Sequence, residues 1–284
     1  MYRVYSNDFK PSYNLIKAIA SGLIDNVARL APHGSADNSS SPYHSRLSYQ
    51  SCKKAINEKL FINSNSTMFS RDFRRLPEWV CYDSIIRKPT KTGGNIYTMH
   101  NITPIDPSWL ALLSNKNHDL VSLGDVLNSP SPIYNEKKDA IMCYVKTKYG
   151  FHSWEVPPLA VPMKEKSMRN SGVMMDESYR WFARFLLEGK IIKELAGLPS
   201  LLNDPPIIIT KKKPIKKCVL LVSALSSEDV DSLSSLRKFW AEKDQKFLFR
   251  LLKPWVNEDK VKDFKKLWMK VVKTNIEIWK NNSL

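Results

Sequence analysis

Leu15, Ile19, Leu23, Val27 and Leu30 recur at helical spacing along one face of the opening stretch. That periodicity predicts a helix over residues 12–30, with Ser12 as its N-cap and Pro32 and Gly34 beyond its end. The polar run Ala36-Asp37-Asn38-Ser39-Ser40-Ser41-Pro42 then reads as a loop. A lone helix with one apolar face has to bury that face on the next part of the chain. That part is a series of shorter runs: Lys59-Leu60-Phe61-Ile62, Thr67-Met68-Phe69, Trp79-Val80-Cys81-Tyr82 leading into Ile85-Ile86, Ile96-Tyr97-Thr98-Met99, and Asn101-Ile102-Thr103. They read as strands divided by turn-prone residues such as Asn63-Ser64-Asn65-Ser66.

Short strands packed so closely along the chain fit a small barrel of the oligonucleotide-binding (OB) type. Asp106 and Pro107 then cap and open a short helix through Leu113. Residues 115–135 are polar and weakly patterned, as a connection would be. Ile141-Met142-Cys143-Tyr144-Val145 alternates toward Tyr149, Gly150 supplies a turn, and Phe151 to Val156 returns, predicting a hairpin closed off by Pro157-Pro158. Beyond Asp176 the period is helical. Tyr179, Phe182 and Leu186 share one face, Val230, Leu233, Leu236 and Trp240 a second, and Val261, Phe264, Trp268 and Val271 a third. The expected class is α+β: a small OB-type β-barrel preceded by a helix and followed by a strand-rich piece and a mainly helical C-terminal extension.

Charge sharpens this picture. Forty-four Lys and Arg stand against 28 Asp and Glu, a formal net charge of +16 over 284 residues. A partner carrying many phosphates suits such an excess, because each neutralised phosphate releases condensed counterions. Several chemistries are disfavoured at the same time. There is no apolar run long enough to span a membrane and no apolar signal core at the start, so no membrane partner is expected. Cys52, Cys81, Cys143 and Cys218 lie far apart without metal-ligand spacing and read as reduced, buried thiols. No Gly-x-x-x-x-Gly-Lys-Ser/Thr loop, Gly-x-Ser-x-Gly or His-Glu-x-x-His occurs, and the five histidines are scattered. Neither a catalytic constellation nor a cofactor or metal site is expected in this chain.

The basic loop Arg87-Lys88-Pro89-Thr90-Lys91-Thr92-Gly93-Gly94 is the most suggestive local feature, since loops between the strands of such a barrel meet the phosphates of a single strand. Arg71, Arg74 and Arg75 form a second cluster that could extend the track. Lys211-Lys212-Lys213-Pro214-Ile215-Lys216-Lys217 has the density of a nuclear-import signal or a phosphate patch on an exposed loop. Trp79, Tyr82, Tyr97 and Trp109 could stack bases, although for Trp79 and Trp109 a core position with a satisfied N–H is the expected one.

Other segments carry a family likeness. Leu15 to Leu30 resembles the end of the helical-bundle domain of DEAH-box RNA helicases. Phe61 to Ser66, Pro77-Glu78-Trp79-Val80-Cys81-Tyr82 and Asn101-Ile102-Thr103-Pro104-Ile105-Asp106-Pro107-Ser108-Trp109-Leu110 are similar, in order, to pieces of their OB-fold. Trp181 to Gly189 resembles the C-terminal extension of the member that acts in nucleolar assembly of the small ribosomal subunit. The resemblance implies domains at 1–34 (end of the helical bundle), 43–114 (OB-fold), 115–175 (linker and strand-rich extension) and 176–284 (helical extension). It also implies that the RecA-like motor domains, with their ATP and Mg²⁺, lie outside this chain. What remains is an RNA-binding, regulatory C-terminal portion acting in small-subunit rRNA processing in the nucleolus. Its implied partners are single-stranded RNA (pre-rRNA or a small nucleolar RNA), the motor domains and ribosome-assembly proteins. Arg87, Lys88, Thr90, Lys91 and His100 are the expected RNA contacts, His100 standing where the family usually has Arg. The alternative is a non-catalytic protein-interaction scaffold in ribosome assembly.

Overall fold

In the computed structural model, which describes residues 10–31, 47–90, 94–114, 119–164, 175–211 and 215–282, the opening helix α1 (Lys10–Gly22) stops well short of Leu30. After a turn, Val27–Leu30 forms strand β1. The helical reading failed because both faces of this strand are buried. Val27 points into one apolar cluster and Ala28 into another, each fully buried, so Arg29 is the one polar residue of the strand and no alternation shows. Ser12 accordingly lies inside α1 rather than at its cap.

The barrel is built from β1, β2 (Tyr49–Ser51), β3 (Leu60–Ile62), β4 (Trp79–Cys81), β5 (Ser84–Pro89) and β6 (Asn95–His100), with β7 (Thr103–Pro104) beside β4. The hydrogen-bonded order is β5-β6-β3-β2-β1-β4-β7, with β3 and β6 parallel. Only Tyr82 and Asp83 separate β4 from β5, so the two are halves of one bent strand. One half pairs with β1 and the other with β6, which closes a five-stranded ring. The run Thr67-Met68-Phe69 forms turns, not a strand.

Ala28, Tyr49, Leu60, Ile62, Val80, Tyr82 and Met99 form the cluster on one side of β1 and β4. Val27, Cys52, Trp79 and Cys81 belong to a second cluster on the other side. The second is covered by Ile16 and Ala20 of α1 and Leu23 just after it, by Trp109 to Ala111 of α2 (Ser108–Leu113), and by Tyr149, Trp154 and Val156. Each large side chain buried this way stabilises the fold by about 1.5–3 kcal/mol. α2 starts at Ser108, which puts Pro107 rather than Asp106 in the cap position, although the Asp106 carboxylate still accepts the Ser108 N–H at 2.8 Å.

The region expected to be a plain connection carries β8 (Val121–Val126) and β9 (Ile133–Asn135). They belong to a second sheet with β10 (Ala140–Tyr149) and β11 (Trp154–Pro162), in the order β11-β10-β8, with β9 also on β10. Pro157-Pro158 does not end β11. The strand lies at the sheet edge, where a proline nitrogen that faces away from the sheet has no ladder hydrogen bond to lose.

The chain divides into two compact units: residues 1–125 with 145–159, and residues 126–144 with 160–284. The boundary expected after residue 34 therefore falls within the first unit, downstream of a barrel strand. The second unit is mainly helical, with α3 (Met175–Leu187), α4 (Lys216–Ser227), α5 (Leu233–Glu242), α6 (Phe249–Leu252) and α7 (Val261–Asn282). Phe182, Leu186, Leu236, Trp240, Phe264, Trp268 and Val271 are buried as the periodicity predicts. Trp240 of α5 meets Trp268 of α7 edge-on at 5.5 Å. Val230 is buried as well, but precedes α5.

Candidate nucleic-acid interface

Strands β5 and β6 continue as a two-stranded ribbon toward the Thr90–Gly94 turn, Arg87 pairing with Tyr97, Lys88 with Ile96 and Pro89 with Asn95. Every residue from Ile86 to Pro89 is exposed. The turn joins the fourth and fifth strands of the ring, one of the two loops with which OB barrels hold oligonucleotides. Successive strand residues face opposite ways, so Arg87 projects on the side of Ile85 and Lys88 on the side of Ile86. The two cations flank the ribbon instead of lining one side of it.

Thr90 closes the turn. Its hydroxyl accepts the Gly94 N–H at 2.9 Å, and its own N–H donates to the Gly94 carbonyl at 2.8 Å. Lys91 lies outside the described residues. His100 stands apart from the others: it pairs with Ser84, four residues along the ribbon from Lys88, or about 13 Å. There the Asn63 side-chain amide lies 3.0 Å from His100 Nε2 and the Thr98 hydroxyl 3.4 Å from it. The structure thus brings Arg87, Lys88 and Thr90 together at the projecting end and leaves His100 at the other.

The second basic cluster surrounds a 3-10 turn, Phe73–Arg75, where Asp72 accepts the Arg74 N–H and lies 3.9 Å from Arg75 Nε. The lysine run at 211–217 is only partly described, with Lys212, Lys213 and Pro214 outside the described residues. Lys217 does not belong to an exposed loop: it lies in the first turn of α4, pairs with Asp204 and sits 4.5 Å over the Trp255 ring. Of the aromatics, Trp79, Tyr82 and Trp109 are buried, and Tyr97 packs partly buried on the barrel core. The Trp109 N–H donates to the Tyr13 hydroxyl at 2.9 Å. Among the described residues the Trp79 N–H has no hydrogen-bond partner, but the Arg29 guanidinium lies 4.9 Å from its ring.

Sequence reasoning passed over the lysines that come after β2. Lys53 pairs with Asp25 at 3.2 Å and with the Asn26 side chain at 2.6 Å, while Lys54 is exposed. Adjacent lysines at a strand end were the available signal. Nearby, Cys52 is raised by burial and Cys81 is pushed by burial up to about 11, so neither thiol ionises at neutral pH. Among the described residues no group of three or more His, Cys, Asp and Glu could hold a metal ion, and no helix is long and apolar enough to cross a membrane.

Residues 15–116, from α1 through the barrel and α2, match the family described as oligonucleotide/oligosaccharide-binding (OB)-fold. Residues 194–272 match the DEAH helicase DHX37 C-terminal domain. The chain corresponds to the C-terminal region of a DEAH-box RNA helicase. It is 25% identical to the ATP-dependent RNA helicase DEAH13 of Arabidopsis thaliana over 259 residues, 90% of this chain and 18% of that protein. Over 216 residues it is 26% identical to human "Probable ATP-dependent RNA helicase DHX37", covering 75% of this chain and 17% of the relative. The Drosophila melanogaster helicase named kurz is 24% identical over 263 residues, 91% of this chain and 20% of its own length. This helicase region therefore spans a fifth or less of the length of the curated relatives it matches.

Proposed function

We propose that this chain is the RNA-holding and partner-docking portion of a DEAH-box helicase that acts in small-subunit rRNA processing in the nucleolus. The observation that carries the reading is the β5–β6 ribbon, an exposed two-stranded projection from a closed OB barrel with Arg87 and Lys88 on its flanks. In this reading the ribbon and Lys91 track the phosphates of a single strand, His100 meets the strand farther along, and the helical unit docks motor domains or assembly proteins. ATP and Mg²⁺ belong to the motor domains. The chain's own residues hold RNA and move no phosphoryl group.

The test is RNA titration of the full 284-residue chain at several salt concentrations. The log–log slope should be steep. A variant carrying Arg87→Ala, Lys88→Ala and Lys91→Ala should reduce it by about 2, near 0.7 per lost phosphate contact on a single strand. Flat, salt-insensitive binding together with specific capture of ribosome-assembly proteins would instead favour the scaffold reading. ATP hydrolysis by the pure chain would contradict the assignment outright.

A further inference from the structure

The tip of the β10–β11 hairpin is built onto one end of the barrel. Gly150 has φ +70°, and a Cβ there would lie 2.9 Å from the Cys52 Cβ and 3.2 Å from the Cys52 carbonyl oxygen. The Gly150 N–H donates to Leu120 and the Phe151 N–H to Cys52, both at 2.8 Å. The Tyr149 hydroxyl donates to the Ile24 carbonyl. Held in this way, Phe151 keeps 50% of its surface exposed, and His152 is exposed beside it. The Phe151 ring meets His152 at 5.3 Å, and His152 stacks on Trp154 at 5.4 Å. Trp154 is buried and meets Trp79 edge-on at 5.4 Å. A ladder of rings therefore runs from the outer cluster of the barrel to solvent. Lys54 places its ammonium 5.8 Å over the Phe151 ring.

The strand register fixes which end of the barrel this is. Tyr49 pairs with Leu60, Leu60 with Tyr97 and Tyr97 with Arg87, forming one row across the ring. Two residues farther along the same direction stand Ser51 on β2 and the Asn95–Pro89 pair on the ribbon. Cys52 to Lys54, with the hairpin tip docked on them, thus leave the same rim as the Thr90–Gly94 turn. β2 and β5 are three strand spacings apart, about 14 Å. An exposed π-surface beside lysines, at the rim where a basic ribbon projects, suits stacked bases on a charged strand.

We propose that Phe151 and His152 form a base-stacking platform for single-stranded RNA, with Lys54 beside it, continuing the track set by the β5–β6 ribbon. This rests on the RNA-holding function proposed above. It names the hairpin tip as the place where bases, not phosphates, are met.

A fluorescent twelve-nucleotide RNA and the same strand carrying abasic positions are titrated into the full chain. Phe151→Ala is expected to weaken binding of the intact strand by roughly 5- to 100-fold without changing the salt slope, and to matter little on the abasic strand. Phe151→Tyr should retain affinity, and His152→Ala should fall in the same direction as Phe151→Ala. Equal losses on both strands would assign Phe151 a structural role and overturn the platform. So would an unchanged affinity of Phe151→Ala while the parent chain binds. If the parent chain binds neither strand, the RNA-holding function fails first and the platform with it.

Discussion

Gly189 shows how one residue's purpose depends on where the chain returns. In sequence Gly189-Lys190 is a fragment of a phosphate-binding pattern without its first glycine, and nothing more can be read from it. In the fold it ends α3 at φ +66°, with the Lys190 N–H donating to the Phe185 carbonyl at 2.9 Å and the Gly189 N–H to Leu186 at 3.1 Å. A Cβ there would lie 2.3 Å from the Leu195 carbonyl oxygen. Gly189→Ala should therefore cost at least about 1–3 kcal/mol, read as a drop in the denaturant midpoint; an unchanged midpoint would contradict the crowding. The cysteines test burial at the same scale. All four are buried, so a thiol reagent at pH 8 should label the native chain slowly and all four sites rapidly in denaturant. Their burial was legible from type and spacing, whereas the crowding at Gly189 was not, since it depends on where Leu195 comes to lie.

At the level of elements, a strand turn supplies part of the cap of α5. Asp139 follows β9 and accepts the Leu233 and Ser234 N–H groups at 2.8 and 2.7 Å, while Ser232 accepts that of Ser235 at 3.2 Å. Burial pushes the Asp139 carboxyl up, but hydrogen bonds from Ser234, the Tyr134 hydroxyl and Leu233 outweigh it and hold the group below its ordinary value. A carboxylate lowered in the folded state contributes stability that is present above about pH 4 and is lost as pH falls through its folded value. Asp139→Asn should lower stability at pH 7 by about 1 kcal/mol and flatten that acid dependence. Urea midpoints measured from pH 3 to 7 would show it, and parallel curves for the two proteins would exclude the cap. Leu233 and Leu236 were readable as part of a helical face, but Asp139 lies ninety-four residues upstream of Leu233 and gave no local sign. β1 shows the opposite failure: its pattern was strong but of the wrong period, because Val27 and Ala28 are buried on opposite faces and the single polar residue, Arg29, is too little to reveal an alternation of two.

At the scale of the molecule, the net charge of +16 was plain from composition and the closed ring was legible from the rhythm of short strands. The interleaving of the two units was not, because it depends on a hairpin whose strands are divided between them. Tyr149, Trp154 and Val156 are at most 7% exposed and help cover the outer cluster of the barrel. A chain ending at Asp125 lacks them and should bind a hydrophobic dye and aggregate, whereas the full chain should do neither. A soluble, monomeric fragment of that length with native-like circular dichroism would refute this. Residues 126–159 also set a clock on the ribosome. At about 5–20 residues per second, some 2–6 s pass between synthesis of the last barrel-side residue before the excursion and arrival of the three side chains that help seal it. For that interval the nascent ring has its tryptophan and cysteines covered only by α1 and α2, a window in which a chaperone has something to hold.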